Sequence, residues 1–301
     1  MPAPSWRPTE RRSSARVHGR SFYPEDATDF AHLREYADFA MYLAKNSRKG
    51  ELFTFDRASY DEKSFIVNTG EDLNRLFDEQ LVDYHFQPIV DARAGEVIAF
   101  EALMRPQLES ISTPDRVLAL ARSQSKLHHV ERMTFLGALD AFSQRYVGQG
   151  SLLFVNSIAT QRLSSEDELF LIERYGGMLR HLVIEIIESD YSREMAVYKE
   201  ALARRLGARL AVDDFGSGYN GETSLLDYHV DFVKLDACIV RGIDCQKDQQ
   251  DIARNLVGYA HDRGIRVIAE GVETETELRA VLDLGVDYLQ VPDRASRAAS
   301  S

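Results

Sequence analysis

The chain has 301 residues, 44% of them hydrophobic, enough to bury a sizeable core in one large domain with additions. A formal net charge of -12 argues against general affinity for DNA, RNA or anionic membranes, which need basic surface, and an anionic substrate would require local cations. No run reaches the roughly 18 apolar residues of a membrane span, no signal-peptide core is present, and Cys238 and Cys245 lack zinc or disulfide-framework spacing, so a cytoplasmic location is expected.

Residues 1–20 are rich in Pro, Ser and Arg without apolar periodicity, which predicts a disordered basic tail. Between Thr28 and Lys45 the positions Phe30, Leu33, Ala37, Ala40, Met41 and Ala44 recur at helical spacing, and Leu52 to Phe55 reads as a short strand. Glu71 to Glu79 looks helical and is expected to link this segment to the next. Two apolar runs, Tyr84 to Val90 and Val97 to Glu101, are joined by a short turn containing Gly95, which predicts an antiparallel hairpin.

From there strands and helices alternate. Thr113-Pro114-Asp115 is a helix start with an N-cap hydroxyl and a proline in the first turn, and a second helix runs from Val130 to Tyr146. Strands are expected at Leu152 to Asn156, Leu182 to Glu188, Leu210 to Asp214, Phe232 to Asp236, Val267 to Glu270 and Tyr288 to Gln290. Helices are expected at Met195 to Leu206, Ile252 to Asp262 and Glu275 to Leu284. This alternation implies a mainly parallel sheet, either closed as a barrel or open and doubly wound.

The strand ends carry the chemistry. One apolar run stops at Asp213-Asp214, two carboxylates that tolerate each other only if solvated, if one is protonated, or if a divalent cation lies between them. In a closed barrel the corresponding positions Glu101, Asn156, Glu185, Asp213, Asp214, Lys234, Glu270 and Gln290 would converge at one mouth. Such a carboxylate and amide set is a hard oxygen site suited to Mg²⁺ or Mn²⁺, with acids enough for two ions, and two ions suit phosphodiester displacement. Lys234 would orient the attacking water or neutralise the phosphate, and Arg105 offers a fork-shaped grip on phosphate oxygens.

Glu101-Ala102-Leu103 with Arg105, preceded by Phe86-Gln87-Pro88-Ile89-Val90, resembles the EAL domain of cyclic di-GMP phosphodiesterases. Val155-Asn156, Glu185-Ile186-Ile187-Glu188, Asp213-Asp214-Phe215-Gly216-Ser217-Gly218-Tyr219, Lys234-Leu235-Asp236 and Ala269-Glu270-Gly271-Val272-Glu273 follow in the family's order. The resemblance implies a TIM-like (β/α)8 barrel with an antiparallel first strand. It implies a metal-dependent enzyme hydrolysing cyclic di-GMP to linear pGpG with two Mg²⁺ or Mn²⁺ ions. Metal ligands would be Glu101, Asn156, Glu185, Asp213, Asp214 and Glu270. Lys234 and Glu270 would act on the water, Gln87, Arg105 and Gln290 would hold the substrate, and Glu188, Asp236 and Glu273 would support the surrounding loops. A homodimer is implied, and no DNA, RNA or membrane partner within the chain.

The segment from Phe22 to Asp56 resembles the last helix and strand of a diguanylate cyclase (GGDEF) domain, without that family's glycine signature. The expected organisation is therefore a tail at 1–20, a GGDEF-like remnant at 21–60, a linker helix at 61–81, an EAL-like barrel at 82–292 and a tail at 293–301. Val291-Pro292-Asp293 runs into an Arg/Ala/Ser stretch, so the barrel's last helix is expected to be absent and the chain truncated at both ends. A non-catalytic cyclic di-GMP receptor, or an inactive truncated EAL protein, is the alternative. A dinucleotide-binding reading of Gly216 to Gly221 as G-x-G-x-x-G fails on electrostatics, since Asp213 and Asp214 would face the pyrophosphate.

Overall fold

The computed structural model describes residues 18–46, 52–60, 69–146, 150–187, 193–215 and 229–291. The chain divides into two compact units, Met1–Asn74 and Arg75–Ser301. In the first, β1 (His18–Arg20) pairs in parallel with β2 (Leu52–Thr54), and α1 (Phe30–Asn46) joins them. Tyr36, Phe39 and Phe55 form its core, with the Tyr36 and Phe55 rings stacked at 4.1 Å. The expected tail is corrected at its end, because His18–Arg20 form a strand. Backbone pairing with β2 needs no apolar periodicity, so composition could not reveal it.

Helix α2 (Gly70–Asp78) leads into the second unit, a closed eight-stranded barrel. Its strands are β3 (Val82–Asp91), β4 (Val97–Pro106), β5 (Leu152–Ser157), β6 (Leu182–Ile187), β7 (Arg209–Phe215), β8 (Phe232–Leu235), β9 (Arg266–Ala269) and β10 (Tyr288–Gln290). β3 runs antiparallel to both β4 and β10, and every other neighbouring pair is parallel. The expected hairpin is the β3–β4 pair. β10 closes the ring by pairing with β9 and β3, so the choice between a closed and an open sheet falls to the closed one.

Both faces of β6, β7 and β8 are buried along nearly their whole length, which is why they read as continuous apolar runs instead of alternating ones. Inside the barrel, Ile89, Ala99, Phe154, Val183, Ala211, Phe232 and Ile268 form one layer, one residue from each of seven strands. Outside it, a larger core containing Phe135, Leu153, Leu182, Leu202, Val233 and Val257 lies under the helices. Those helices are α3 (Pro114–Ser123), α4 (Leu127–Tyr146), α5 (Ser165–Tyr175), α6 (Arg193–Leu206), α7 (Ala237–Val240), α8 (Lys247–Asp262) and α9 (Glu275–Leu284). The Thr113 hydroxyl accepts from Arg116 N, as its sequence position predicts. α5 and α7 were not anticipated: α5 buries only Leu171 and Tyr175, too few for a clear stripe, and α7 is a single turn. Residues 292–301, where the last helix was expected to be missing, lie outside the described residues.

Candidate active site

Side chains alternate across a strand, so each residue of the inner layer predicts the identity of the mouth residue two positions on. Ala99 leads to Glu101, Phe154 to Asn156, Val183 to Glu185, Ala211 to Asp213, Phe232 to Lys234 and Ile268 to Glu270. β3 runs the other way, and there Ile89 steps back to Gln87, the cross-strand partner of Glu101. The apolar floor and the polar mouth are thus consecutive layers of one barrel, and the mouth lies at the C-terminal ends of the parallel strands.

Lys234 is the hub. It is 1% exposed, and its Nζ lies 3.1 Å from Glu101 Oε2, 3.0 Å from Glu185 Oε1, 3.1 Å from Asp213 Oδ1 and 2.6 Å from Glu270 Oε1. Burial pulls the Lys234 ammonium down, but four carboxylates overcome that and hold it well above its usual value. Glu101 accepts from Asn156 Nδ2 at 2.8 Å and Gln290 Nε2 at 2.6 Å, as well as from Lys234. Burial pushes Glu101 up, yet Lys234 and the two amides outweigh it and keep the carboxyl below the ordinary range.

One ammonium cannot neutralise so many acids. Glu185 is fully buried, and burial with the charge of Glu101 pushes its carboxyl well above normal. Neither Glu185 oxygen has a hydrogen-bond partner; Oε1 is close to Lys234 but outside hydrogen-bond geometry. Glu270 is raised to about 7, chiefly by burial, against the pull of Lys234. Buried carboxylates that share a single ammonium and lack hydrogen bonds of their own call for a further cation. Two donor sets fit: Glu101, Glu185 and Asp213 offer oxygens within 4.8 Å of one another, and so do Asp213, Asp214 and Glu270, with Asp213 common to both. The set consists entirely of carboxylate oxygen, which suits Mg²⁺ or Mn²⁺.

A family profile described as the EAL domain matches residues 70–290. The chain belongs to the EAL domain family. Among its relatives, the cyclic di-GMP phosphodiesterase NbdA of Pseudomonas aeruginosa is 27% identical over 86% of this chain and 34% of NbdA. The cyclic di-GMP phosphodiesterase PdeR of Escherichia coli is 27% identical over 90% of this chain and 42% of PdeR, so the chain spans less than half the length of either relative. Klebsiella pneumoniae BlrP1, solved as a complex with manganese and cyclic di-GMP, is 26% identical over 70% of this chain and 54% of its own, with a TM-score of 0.62.

In this EAL domain Asp214 reaches the second donor set by an irregular route. Consecutive strand residues face opposite ways, so Asp213 and Asp214 should diverge. The β7–β8 register shifts between Val212 and Phe215, and Asp214 adopts φ 55, a left-handed conformation that Asp tolerates better than most residues. Its backbone N donates to Asp213 Oδ1 at 2.9 Å. Burial, then the charge of Asp213, raises the Asp214 carboxyl.

The remaining candidates are more dispersed. Arg105 shares the face of Glu101 two residue pairs further along β4, half-buried, with Nη1 donating to Met104 O at 2.9 Å. Gln290 is 8% exposed and turned toward Glu101, where its amide supports a carboxylate. Asp236 caps α7 by accepting from Cys238 N at 2.8 Å. Glu273 is exposed and paired with Arg241 at 2.9 Å. Glu188 and residues 216–228, which include the glycine-rich stretch after Phe215, lie outside the described residues. Sequence reasoning missed Glu277. Its carboxylate accepts from Gly242 N at 2.7 Å, Glu273 N at 2.9 Å and Thr274 N at 3.0 Å, tying the loop after Glu270 to the turn after α7. The signal was there in Thr274-x-x-Glu277, a capping box opening α9. In the same loop, Gly271 sits at φ 68, where a Cβ would come within 2.5 Å of Ala237 Cβ, so only glycine permits this approach.

Proposed function

We propose that this EAL domain hydrolyses cyclic di-GMP to linear pGpG at a two-cation centre in the barrel mouth. The observation that carries the reading is Glu185: a fully buried carboxylate with no hydrogen bond to either oxygen, inside a ring of acids that share the single ammonium of Lys234 and that it cannot balance alone. Glu101, Asn156, Glu185 and Asp213 would hold one Mg²⁺ or Mn²⁺, and Asp213, Asp214 and Glu270 a second. When bound, such a pair lowers the pKa of a water and stabilises charge on the phosphodiester oxygens. Lys234 Nζ orients that water. Glu270, whose Oε1 lies 2.6 Å from Lys234 Nζ, binds the second cation or acts on that same water. Arg105 and Gln87 hold the substrate, while Gln290 acts chiefly by fixing Glu101. Glu188, Asp236 and Glu273 support the loops around the mouth.

The relatives named as cyclic di-GMP phosphodiesterases, and the manganese and cyclic di-GMP complex of BlrP1, support this choice of substrate and ion. Among the described residues no helix is long and apolar enough to cross a membrane. A cytoplasmic homodimer, with the helix and strand of residues 21–60 as a GGDEF-like remnant, accompanies the proposal.

The test is chromatographic. Folded protein should convert cyclic di-GMP to pGpG with Mn²⁺ or Mg²⁺, and chelation or Glu101→Ala should abolish the product. Tight binding with no linear product in a folded, metal-loaded sample would sink the enzyme reading and leave a receptor.

A further inference from the structure

Behind the mouth, in the helical layer, Glu131 of α4 and Lys199 of α6 form a second buried ion pair. Both side chains are 0% exposed, and Lys199 Nζ lies 2.8 Å from Glu131 Oε1. Lys199 interrupts the apolar stripe of α6, where Ala196, Leu202, Ala203 and Leu206 are the other buried positions. A pair sealed in this way is a poor device for stability alone, because desolvating two charges offsets most of their attraction.

What the pair grips is the end of β5. Ser157 Oγ donates to Glu131 Oε1 at 2.7 Å and accepts from Lys199 Nζ at 2.7 Å, while Ile158 N donates to Glu131 Oε2 at 2.7 Å. These are charge-assisted bonds to the two residues that directly follow Asn156. Because neighbouring strand side chains face opposite ways, Ser157 meets the helices while Asn156 meets Glu101 at 2.8 Å in the mouth. Holding Ser157 and Ile158 from behind therefore sets the direction in which Asn156 projects in front.

We propose that the Glu131–Lys199 pair is a positioning device that aims the Asn156 amide at the divalent-cation site. The inference rests on the reading of the mouth as that site. The pair touches neither cation nor substrate, and acts only through residues 156–158.

Direct Mn²⁺ binding to the purified full chain, followed by the electron paramagnetic resonance signal of free Mn²⁺, tests it alongside thermal unfolding in chelator. Glu131→Leu/Lys199→Met replaces the pair with apolar groups of similar size, which offsets the lost ion pair but leaves Ser157 Oγ and Ile158 N without their acceptor, so it should stay folded and unfold somewhat below the wild-type temperature. It should bind Mn²⁺ on the order of tenfold more weakly, the loss typical when a ligand's supporting partner is removed. Glu131→Gln/Lys199→Met, which keeps an acceptor for β5, should recover part of that affinity. Asn156→Ala should weaken binding too, and adding the Leu/Met pair to it should cause no further loss, since both act through one side chain.

Wild-type Mn²⁺ affinity in folded Glu131→Leu/Lys199→Met, or losses that add in full to those of Asn156→Ala, would reduce the pair to interior packing and overturn the proposal. If the Leu/Met variant does not fold, Ser157→Ala decides: weakened binding supports the relay, and wild-type binding refutes it. A wild-type chain that takes up no Mn²⁺ would overturn the cation site itself, an outcome distinct from all of these.

Discussion

Asp214 answers two demands that conflict. To join Asp213 and Glu270 it must turn toward the mouth, and to do so it occupies φ 55, where a side chain costs roughly 1 kcal/mol relative to glycine. Its raised carboxyl adds repulsion from Asp213. In the metal-free protein Asp214→Gly should therefore unfold at the same temperature as wild type or slightly higher, while Mn²⁺ affinity drops. Differential scanning calorimetry with and without Mn²⁺ separates the two effects. Glu270 makes a prediction in pH. Its folded carboxyl titrates at about 7 against 4.5 when unperturbed, so the folded state holds a proton that the unfolded chain releases. That contribution is complete below 4.5 and disappears as pH rises through 7. Relative to wild type, metal-free Glu270→Gln should gain unfolding temperature steadily between pH 5 and 7 and level off above. Cation binding must displace the same proton, so Mn²⁺ affinity of the wild type should fall with acidification below about pH 7.

Among the elements, the loop between β9 and α9 is tied down by a helix cap and by one carboxylate. Thr274 caps α9, and Glu277 takes three backbone N–H groups, from Gly242, Glu273 and Thr274. Thr274→Ala should destabilise the fold by about 1 kcal/mol, the usual loss of an N-cap. Glu277→Ala leaves three partly buried donors on two segments without their acceptor and should cost more, about 2 kcal/mol, read as the shift in urea midpoint. Glu270 begins this loop, so Glu277→Ala should also weaken Mn²⁺ binding, whereas Thr274→Ala should leave it nearly unchanged. The elements themselves were largely legible. All eight barrel strands announced themselves, seven as apolar runs ending in a polar residue and β3 as the Tyr84 to Val90 arm of the hairpin, and Thr113-Pro114 marked its helix start to the residue. α5 stayed hidden because Leu169, Phe170 and Ile172 point outward and blur its stripe.

For the molecule as a whole, closure depends on β10, three residues that pair with β9 on one side and β3 on the other. They also deliver Gln290 to Glu101 across 189 positions of sequence. Ending the chain after Asp287 should open the ring and expose two strand edges, which are templates for intermolecular pairing. Size-exclusion chromatography should then show aggregate in place of a compact species, and a compact, cooperatively unfolding product would refute the importance assigned to β10.

Amino-acid order was sufficient for the barrel strands, for most of the helices between them, for the family, and for the acids that meet at the mouth, because each of these is written in short periodic patterns or fixed local spacings. It was silent on the turn that brings Asp214 inward, on the central station of Lys234 among four carboxylates, and on the joining of Glu131 to Lys199 behind β5. These depend on partners from separate strands and helices, and no repeat within a few residues records which side chains a closed barrel will bring within 3 Å of each other.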